Sequence, residues 1–460
     1  MAAIRSINPA TGEQLAVFEE DDDTVVEAKL AAAAAAVPQL AAAGWEQRAA
    51  WMNAAAALLE SEVHTVAAMI TAEMGKPLAQ SRAEVGKSAH AMRFYAENAR
   101  SFLDGRELAD PSEVSASAAR TRYDPLGVVL AVMPWNYPIW QVVRFAAPAL
   151  MAGNAGVLKH ASNVPQSAVY LGELFERAGF PDGSFATLLI GSARVADVIR
   201  DRRVAAVTLT GSEGAGRSIA ATAGDVLKKA VLELGGSDPF IVMPSADLDA
   251  AVEVAVRART TNNGQACINA KRFIVHADVY DAFAAKFAEQ MRRLVIGDPA
   301  EPHTEVGPLA TEGGRRDIEE LVEDARDKGA EILTGGARPD RDGGWFYEPT
   351  VVAGLTRDMR LWSEEAFGPV ASLYRAASLD EALAIANGTE FGLGSAFWSA
   401  DQAEIDRAVR EIEAGAVFVN GMTISYPELP FGGIKRSGYG RELSVEGIRE
   451  FTNLKTVWIG

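Results

Sequence analysis

The sequence predicts an α/β protein built on doubly wound sheets, and three observations predict it. Strand-like and helix-like segments alternate from about residue 125 to about residue 425. The run PLGVVLAVMPWNYP is β-branched and apolar and is closed by prolines, as a buried strand before a sharp turn would be. The chain has 460 residues, 48 % hydrophobic and 23 % charged, enough for two or three domains each with its own core.

Taken in order, the stretch from Asp22 to about Arg106 is helical, alanine-rich with Leu, Met and Val at spacings of three and four. The acidic run before TVVEAKLAAAA favours a helix start through the dipole. AAAAAAVPQLAAAGW reads as a surface helix ended by its proline and glycine, not as a membrane span. After the strand at 125–138, AGVLKH predicts a strand, VPQSAVYLGELFERAGF a helix, FATLLIG a strand and ARVADVIRD a helix. AAVTLTGS, AGRSIAATAG and KKAVLELGG continue as strand, helix and strand. A second α/β series begins at DPFIV and carries strand candidates in AKRFIVHADV, GAEILTGG, YEPTVVAGL, GPVASLYRA and GAVFVNG. Gly-Gly and Pro punctuation places a boundary near residue 235.

Net charge is −18, with 62 acidic residues against 44 basic, which argues against a nucleic-acid partner. One cysteine permits no intrachain disulfide and fits a reducing cytosol. The N-terminus shows no long apolar stretch of the secretory kind, so a cytoplasmic protein is expected, with no membrane partner. Five histidines without ligand spacing, beside a lone thiol, predict no metal.

Four short stretches carry chemistry. Cys267, in NNGQACINAKRF (262–273), is the sole thiol and a candidate nucleophile, although free cysteines are often inert core residues. VTLTGSEGAGRSIA (207–220) gives a strand, a glycine-containing turn and a helix start, a pattern that suits an anion. Its glycines do not spell G-x-G-x-x-G, and a plain strand–helix connection fits equally well. Glu233, in AVLELGGSDPF, is a single carboxylate in an apolar strand, either a desolvated general base or an edge residue reaching solvent. Asn136, between Pro134 and Pro138, is either a fixed oxyanion donor or a turn asparagine. Together they supply a thiol, a base, an amide donor and an anion cradle, a working set for oxidising a carbonyl through a thioester.

With MPWNYP, LTGSEGAGRSIA, LELGGSDPFIV, NNGQACINAKRF, EEAFGPV and PFGGIKRSGYGRE in this order, the chain resembles the aldehyde dehydrogenase family over nearly its whole length. The resemblance implies an aldehyde-dehydrogenase-like α/β fold: a Rossmann-type cofactor domain (1–118 and 139–234), an α/β catalytic domain (235–428) and a small β oligomerisation flap (119–138 and 440–460). It implies a homodimer or homotetramer. Carried over by motif, Cys267 matches the nucleophile, Glu233 the general base and Asn136 the oxyanion donor. Trp135, Gly211, Ser212, Gly216 and Leu234 match cofactor contacts, and Glu365 and Phe367 the pair that holds the nicotinamide ribose and ring. Glu442 matches a glutamate that relays protons in some members, but Phe145 stands where many relatives carry a lysine.

VLKHASNVP resembles the adenosine-ribose segment, with Lys159 as the contacting lysine. Ser162 replaces a ribose-binding glutamate of NAD-preferring relatives, so NADP is the expected cofactor with NAD possible. Arg144 lies in an apolar run and needs an anion, either a protein carboxylate or one on the substrate. The shorter succinate-semialdehyde dehydrogenases are the most similar group, and in them the matching arginine binds the substrate carboxylate. Ser425 is a second expected contact. Glutarate semialdehyde, broader aldehydes, transfer to CoA and a crystallin-like role are the alternatives; intact Glu233 favours hydrolysis over CoA transfer.

Overall fold

The computed structural model describes residues 3–341 and 343–460. Two sheets organise it. The first has six strands in the order Gly438–Tyr439, Lys229–Glu233, Val204–Thr210, Val128–Met133, Ala155–His160 and Phe185–Thr187. All its pairings are parallel except that of Gly438–Tyr439. Val128–Met133 is its centre and almost wholly buried, so every position of VVLAVM can be apolar. The chain runs outward from this strand in both directions, which puts a crevice at its carboxyl end, where open α/β sheets bind ligands. Pro134, Trp135 and Asn136 are the next residues.

The second sheet has seven strands in the order Glu331–Thr334, Thr350–Ala353, Val370–Ala376, Ala270–His276, Asp238–Val242, Ala396–Trp398 and Phe418–Val419. Only its first strand is antiparallel. Residues 234–237 join the sheets, carrying the chain from Glu233 to Asp238. Cys267 lies in the turn that leads into Ala270–His276. The amino end of that strand therefore faces the carboxyl ends of the first sheet.

Each expected strand is present, and the helical stretch resolves into Asp23–Ala42, Gly44–Ser61, Val63–Met74 and Leu78–Phe102. One element was not anticipated, and several expectations are corrected. Before the helices stands an antiparallel hairpin, Ala3–Ile7 with Gln14–Glu19. Pro38 does not end the first helix, which continues to Ala42; the break comes at Gly44, whose φ of +73° suits glycine. That helix is long and apolar enough by composition to cross a membrane. Here Val26, Leu30, Ala33, Ala36 and Leu40 are buried in the main core.

The segment 119–138 does not form one unit either. Ala118–Pro125 pairs with Thr452–Ile459 in a separate two-stranded ribbon, whereas Val128–Met133 is the centre of the first sheet. Residues 440–451 likewise pack inward, with Leu443, Ile448 and Phe451 in the main core.

Candidate active site

Cys267 borders two cavities. One, of about 260 Å³, is lined by Lys87, Tyr137, Trp140, Arg144, Ile268, Ser425 and Phe431 among others. The other, of about 280 Å³, is lined by Trp135, Asn136, Gly211, Ser212, Leu234, Gly235, Glu365 and Phe367. The half-buried thiol thus separates a mostly apolar chamber from a groove at the carboxyl end of the first sheet.

The turn that carries the thiol is held in an unusual backbone shape. Asn262, Asn263 and Gly264 have φ of +59°, +56° and +74°, a left-handed run that asparagine and glycine tolerate best. Asn263 offsets that strain by donating to the carbonyls of Gly75 and Pro308 and accepting from Gly307 N–H. Asn269 accepts from Ala266 N–H at 2.7 Å and donates to Ala258 O at 2.8 Å. Lys271 donates to the carbonyls of Ala266 (3.0 Å) and Cys267 (2.8 Å) and pairs with Glu365 at 3.0 Å. None of these three straps was singled out from sequence as supporting the nucleophile.

Burial pushes the Cys267 thiol up to about 12; Arg144 and Lys271 act against the shift, while Glu365 and Glu233 add to it. In this state the sulfur carries its proton at neutral pH. Asn136 is buried and donates to Gln265 O at 2.9 Å, which leaves its second amide hydrogen for a ligand. Its backbone carbonyl accepts from Asn262 Nδ2 at 2.8 Å, tying the turn of Asn136 to the loop of Cys267. His160 steadies the same turn through a 2.8 Å hydrogen bond with Pro138 O, and burial lowers its pKa to about 4, so the ring is neutral.

Glu233 is 1 % exposed, which excludes the edge-residue reading, and neither carboxylate oxygen has a hydrogen-bond partner. Burial raises its pKa well above the carboxylate range, with repulsion from Glu442 adding to the effect. Gly432, at φ +155°, makes room for it: a Cβ there would sit 2.8 Å from Glu233 Oε1. Arg144 and Glu442 form a buried ion pair, and Arg144 Nη2 also donates to Thr210 Oγ1 at 3.3 Å. Arg144 therefore reaches the chamber with its charge already balanced by a protein carboxylate. Burial raises the Glu442 pKa, opposed by Arg144. Phe145 is core, stacked edge-on against Phe451 at 5.5 Å, and lines neither cavity.

Ser425 is buried on the chamber wall, and its hydroxyl accepts from Lys87 Nζ at 2.7 Å. On the opposite side, Trp135 and Phe367 meet edge to face with centroids 5.7 Å apart. The Gly-Gly pair after Leu234 is explained by close approach. A Cβ on Gly235 would come within 2.5 Å of Glu365 Oε2, and one on Gly236 within 2.5 Å of the Cys267 carbonyl oxygen. Ser212 caps the helix Glu213–Asp225 by accepting from Ala215 N–H at 3.4 Å. Gly216 packs against Leu234, where a Cβ would meet Leu234 Cδ2 at 2.6 Å. Lys159, half-buried, is the penultimate residue of the strand Ala155–His160, and exposed Ser162 lies two residues beyond its end. Burial lowers the Lys159 pKa, with Glu20 opposing.

These residues fit a dinucleotide. They offer a helix N-terminus for phosphates, aromatic faces for a ring, Glu365 for ribose hydroxyls, and Lys159 with Ser162 at the end of the neighbouring strand. Among the described residues, no group of three or more His, Cys, Asp and Glu could hold a metal ion.

The sequence profile of the aldehyde dehydrogenase family matches residues 2–457. A succinate-semialdehyde dehydrogenase [NADP(+)] 1 of Mycobacterium tuberculosis is 60 % identical over 456 residues, covering 99 % of each chain. A succinate-semialdehyde dehydrogenase [NADP(+)] of Mycobacterium avium is 60 % identical over 458 residues, 99 % of this chain and 97 % of that one. The crystal structure of a succinic semialdehyde dehydrogenase from Streptococcus pyogenes, in complex with NADP+, superimposes with a TM-score of 0.95 at 38 % identity, covering 99 % of both chains. With its whole length matched and its lone thiol set between two cavities, the chain belongs to the aldehyde dehydrogenase family.

Proposed function

We propose that this protein oxidises succinate semialdehyde to succinate through a thioester on Cys267, with NADP as the preferred cofactor. The observation that carries the reading is the position of Cys267 on the wall of both cavities, one suited to a short aldehyde and the other to a nicotinamide. The 60 % identity to NADP-dependent succinate-semialdehyde dehydrogenases supports the choice of substrate and cofactor.

In this reading the Cys267 thiol gives its proton to solvent water, the resulting thiolate adds to the aldehyde carbon, and the carbonyl oxygen becomes an oxyanion. The free amide hydrogen of Asn136 and the Cys267 N–H face that charge, and losing such a donor typically costs ~10²–10³ in rate. Bound NADP would supply the hydride acceptor that oxidation of the adduct requires, and Cys267 would then hold the succinyl group as a thioester. Trp135, Glu365, Phe367 and Leu234 position the ring side of the cofactor, Ser212 at the helix start its phosphates, and Lys159 with Ser162 the adenosine end. Glu233 then takes a proton from water, the hydroxyl attacks the thioester carbon, and the thiolate leaves with succinate released. Its raised proton affinity suits that role and disfavours a fixed, solvated carboxylate.

We assign residues 1–118 and 139–234, with the strand Val128–Met133, to cofactor binding, and 235–428 to catalysis. The ribbon of Ala118–Pro125 and Thr452–Ile459, with exposed Leu454, Trp458 and Ile459, is the expected contact surface of a homo-oligomer. The test of function is kcat/KM for succinate semialdehyde, glutarate semialdehyde and butanal, each with NADP and NAD. Preference for succinate semialdehyde and NADP supports the reading, with spillover to the glutarate homologue because one methylene is worth only ~1–3 kcal/mol. Equal treatment of succinate semialdehyde and butanal removes the semialdehyde assignment.

A further inference from the structure

The chamber beside Cys267 has a cation that the sequence motifs do not mark. Lys87 lies on the long helix Leu78–Phe102, and its ammonium reaches the chamber wall beside Ser425. Three observations separate it from the other charged groups there. Arg144 is neutralised by Glu442. Glu84 is neutralised by Lys76 and accepts the N–H groups of Ile139 and Trp140 at 2.9 and 3.0 Å. Lys87 has no carboxylate within ion-pair distance among the described residues; its neighbours are the Ser425 hydroxyl at 2.7 Å and the Trp140 ring at 4.2 Å. The chamber therefore carries one positive charge without a fixed counter-ion, at a wall shared with the reactive thiol's cavity.

The geometry points to Lys87, with the Ser425 hydroxyl beside it, as the receptor for the distal carboxylate of the substrate. This rests on the reading that the substrate is a semialdehyde acid. A lysine has three donors and no acceptor, so after donating one hydrogen to Ser425 it keeps two for a carboxylate. Ser425 Oγ accepts from Lys87 and keeps its own proton free to donate to the same anion. The Trp140 face stabilises the ammonium while the chamber is empty of anions and packs on the aliphatic part of a short substrate. Arg144 contributes hydrogen-bond donors there, but its charge is already engaged. Burial and the charge of Arg144 lower the Lys87 pKa to about 7, as expected for an ammonium awaiting an anion.

The experiment compares kcat/KM for succinate semialdehyde and for butanal in wild type, Lys87→Met, Lys87→Arg and Ser425→Ala. Wild type should prefer the semialdehyde. Lys87→Met should cut that preference at least about tenfold, mainly through KM, as loss of a desolvated charge partner does. Lys87→Arg should keep more of the preference than the methionine variant, and Ser425→Ala should lose a smaller part of it. A Lys87→Met enzyme that keeps the full preference overturns the proposal while leaving the proposed function standing. A wild type with no preference overturns that function, and this inference with it. If the methionine variant does not fold, the Ki of succinate against that of butyrate in Ser425→Ala decides: an undiminished preference for succinate contradicts the shared receptor.

Discussion

The ammonium of Lys271 donates to the Cys267 carbonyl at 2.8 Å and stands 3.0 Å from Glu365. One buried side chain thus ties the nucleophile's loop to the carboxylate that faces the nicotinamide ribose in the proposed mechanism. Gly235 and Gly236 let those partners approach, since a Cβ on either would collide with Glu365 or with Cys267 O. Lys271→Met should raise KM for NADP and also slow thioester formation. Titration of NADP binding by fluorescence and rapid-mixing of the first turnover check the two effects separately. Loss of only one would show that the lysine serves one partner alone.

Gly432 gives Glu233 its space, so Gly432→Ala should displace the base without touching the thiol. The expected phenotype is a normal first turnover followed by slow steady-state release of acid. Its φ of +155° adds backbone strain to the clash, so stability falls as well, measurable as a lower Tm.

Lys87 predicts a pH dependence that can be isolated from that of the thiol. The groups facing it are Arg144, Glu84, Lys76 and Glu428, and His90 pairs with Glu428 from the same helix as Lys87. Lys87 is charged below about pH 7 and neutral above it, so the free enzyme receives a carboxylate best on the acid side. Deprotonation of Cys267 favours the alkaline side for every aldehyde, and it cancels in a ratio. The ratio of kcat/KM for succinate semialdehyde over butanal should therefore fall as pH rises through 7. A ratio independent of pH between 6 and 9 would remove the lysine's charge from recognition.

The Lys76–Glu84 ion pair is fully buried, and the Lys76 ammonium lies 3.8 Å from the Tyr137 ring centroid. Because Glu84 also accepts from Ile139 and Trp140, it fixes the start of the helix that follows Asn136. Lys76→Met should destabilise the protein by about 3–5 kcal/mol by stranding the carboxylate. Adding Glu84→Leu should recover part of that stability in urea denaturation but not the activity, because the helix start stays untied.

Most strands of both sheets were legible because each is a short apolar run near Gly or Pro, whereas the short Ala396–Trp398 and Gly438–Tyr439 were not anticipated; Glu233, Asn136 and Cys267 stood out as candidates because their motifs are contiguous. What escaped depends on contacts between distant residues. Lys87 and Ser425 are 338 positions apart, and the helix between Leu78 and Phe102 shows only alanine-rich periodicity in sequence. The pairing of Arg144 with Glu442 was open for the same reason: an arginine in an apolar run demands an anion without saying which one. The ribbon's limits were hidden because its two strands lie more than 300 residues apart in the chain, while Gly127 at φ +131° marks the turn from the ribbon strand Ala118–Pro125 to the sheet strand Val128–Met133.

The most direct test of the central claim is the first turnover of Glu233→Gln with succinate semialdehyde and NADP, followed by intact-mass analysis of the quenched protein. The account predicts a burst of one NADPH per active site, slow turnover afterwards, and a succinyl group on Cys267 that Cys267→Ala cannot carry. Equal loss of the burst and of steady-state turnover, with no adduct on Cys267, would contradict it.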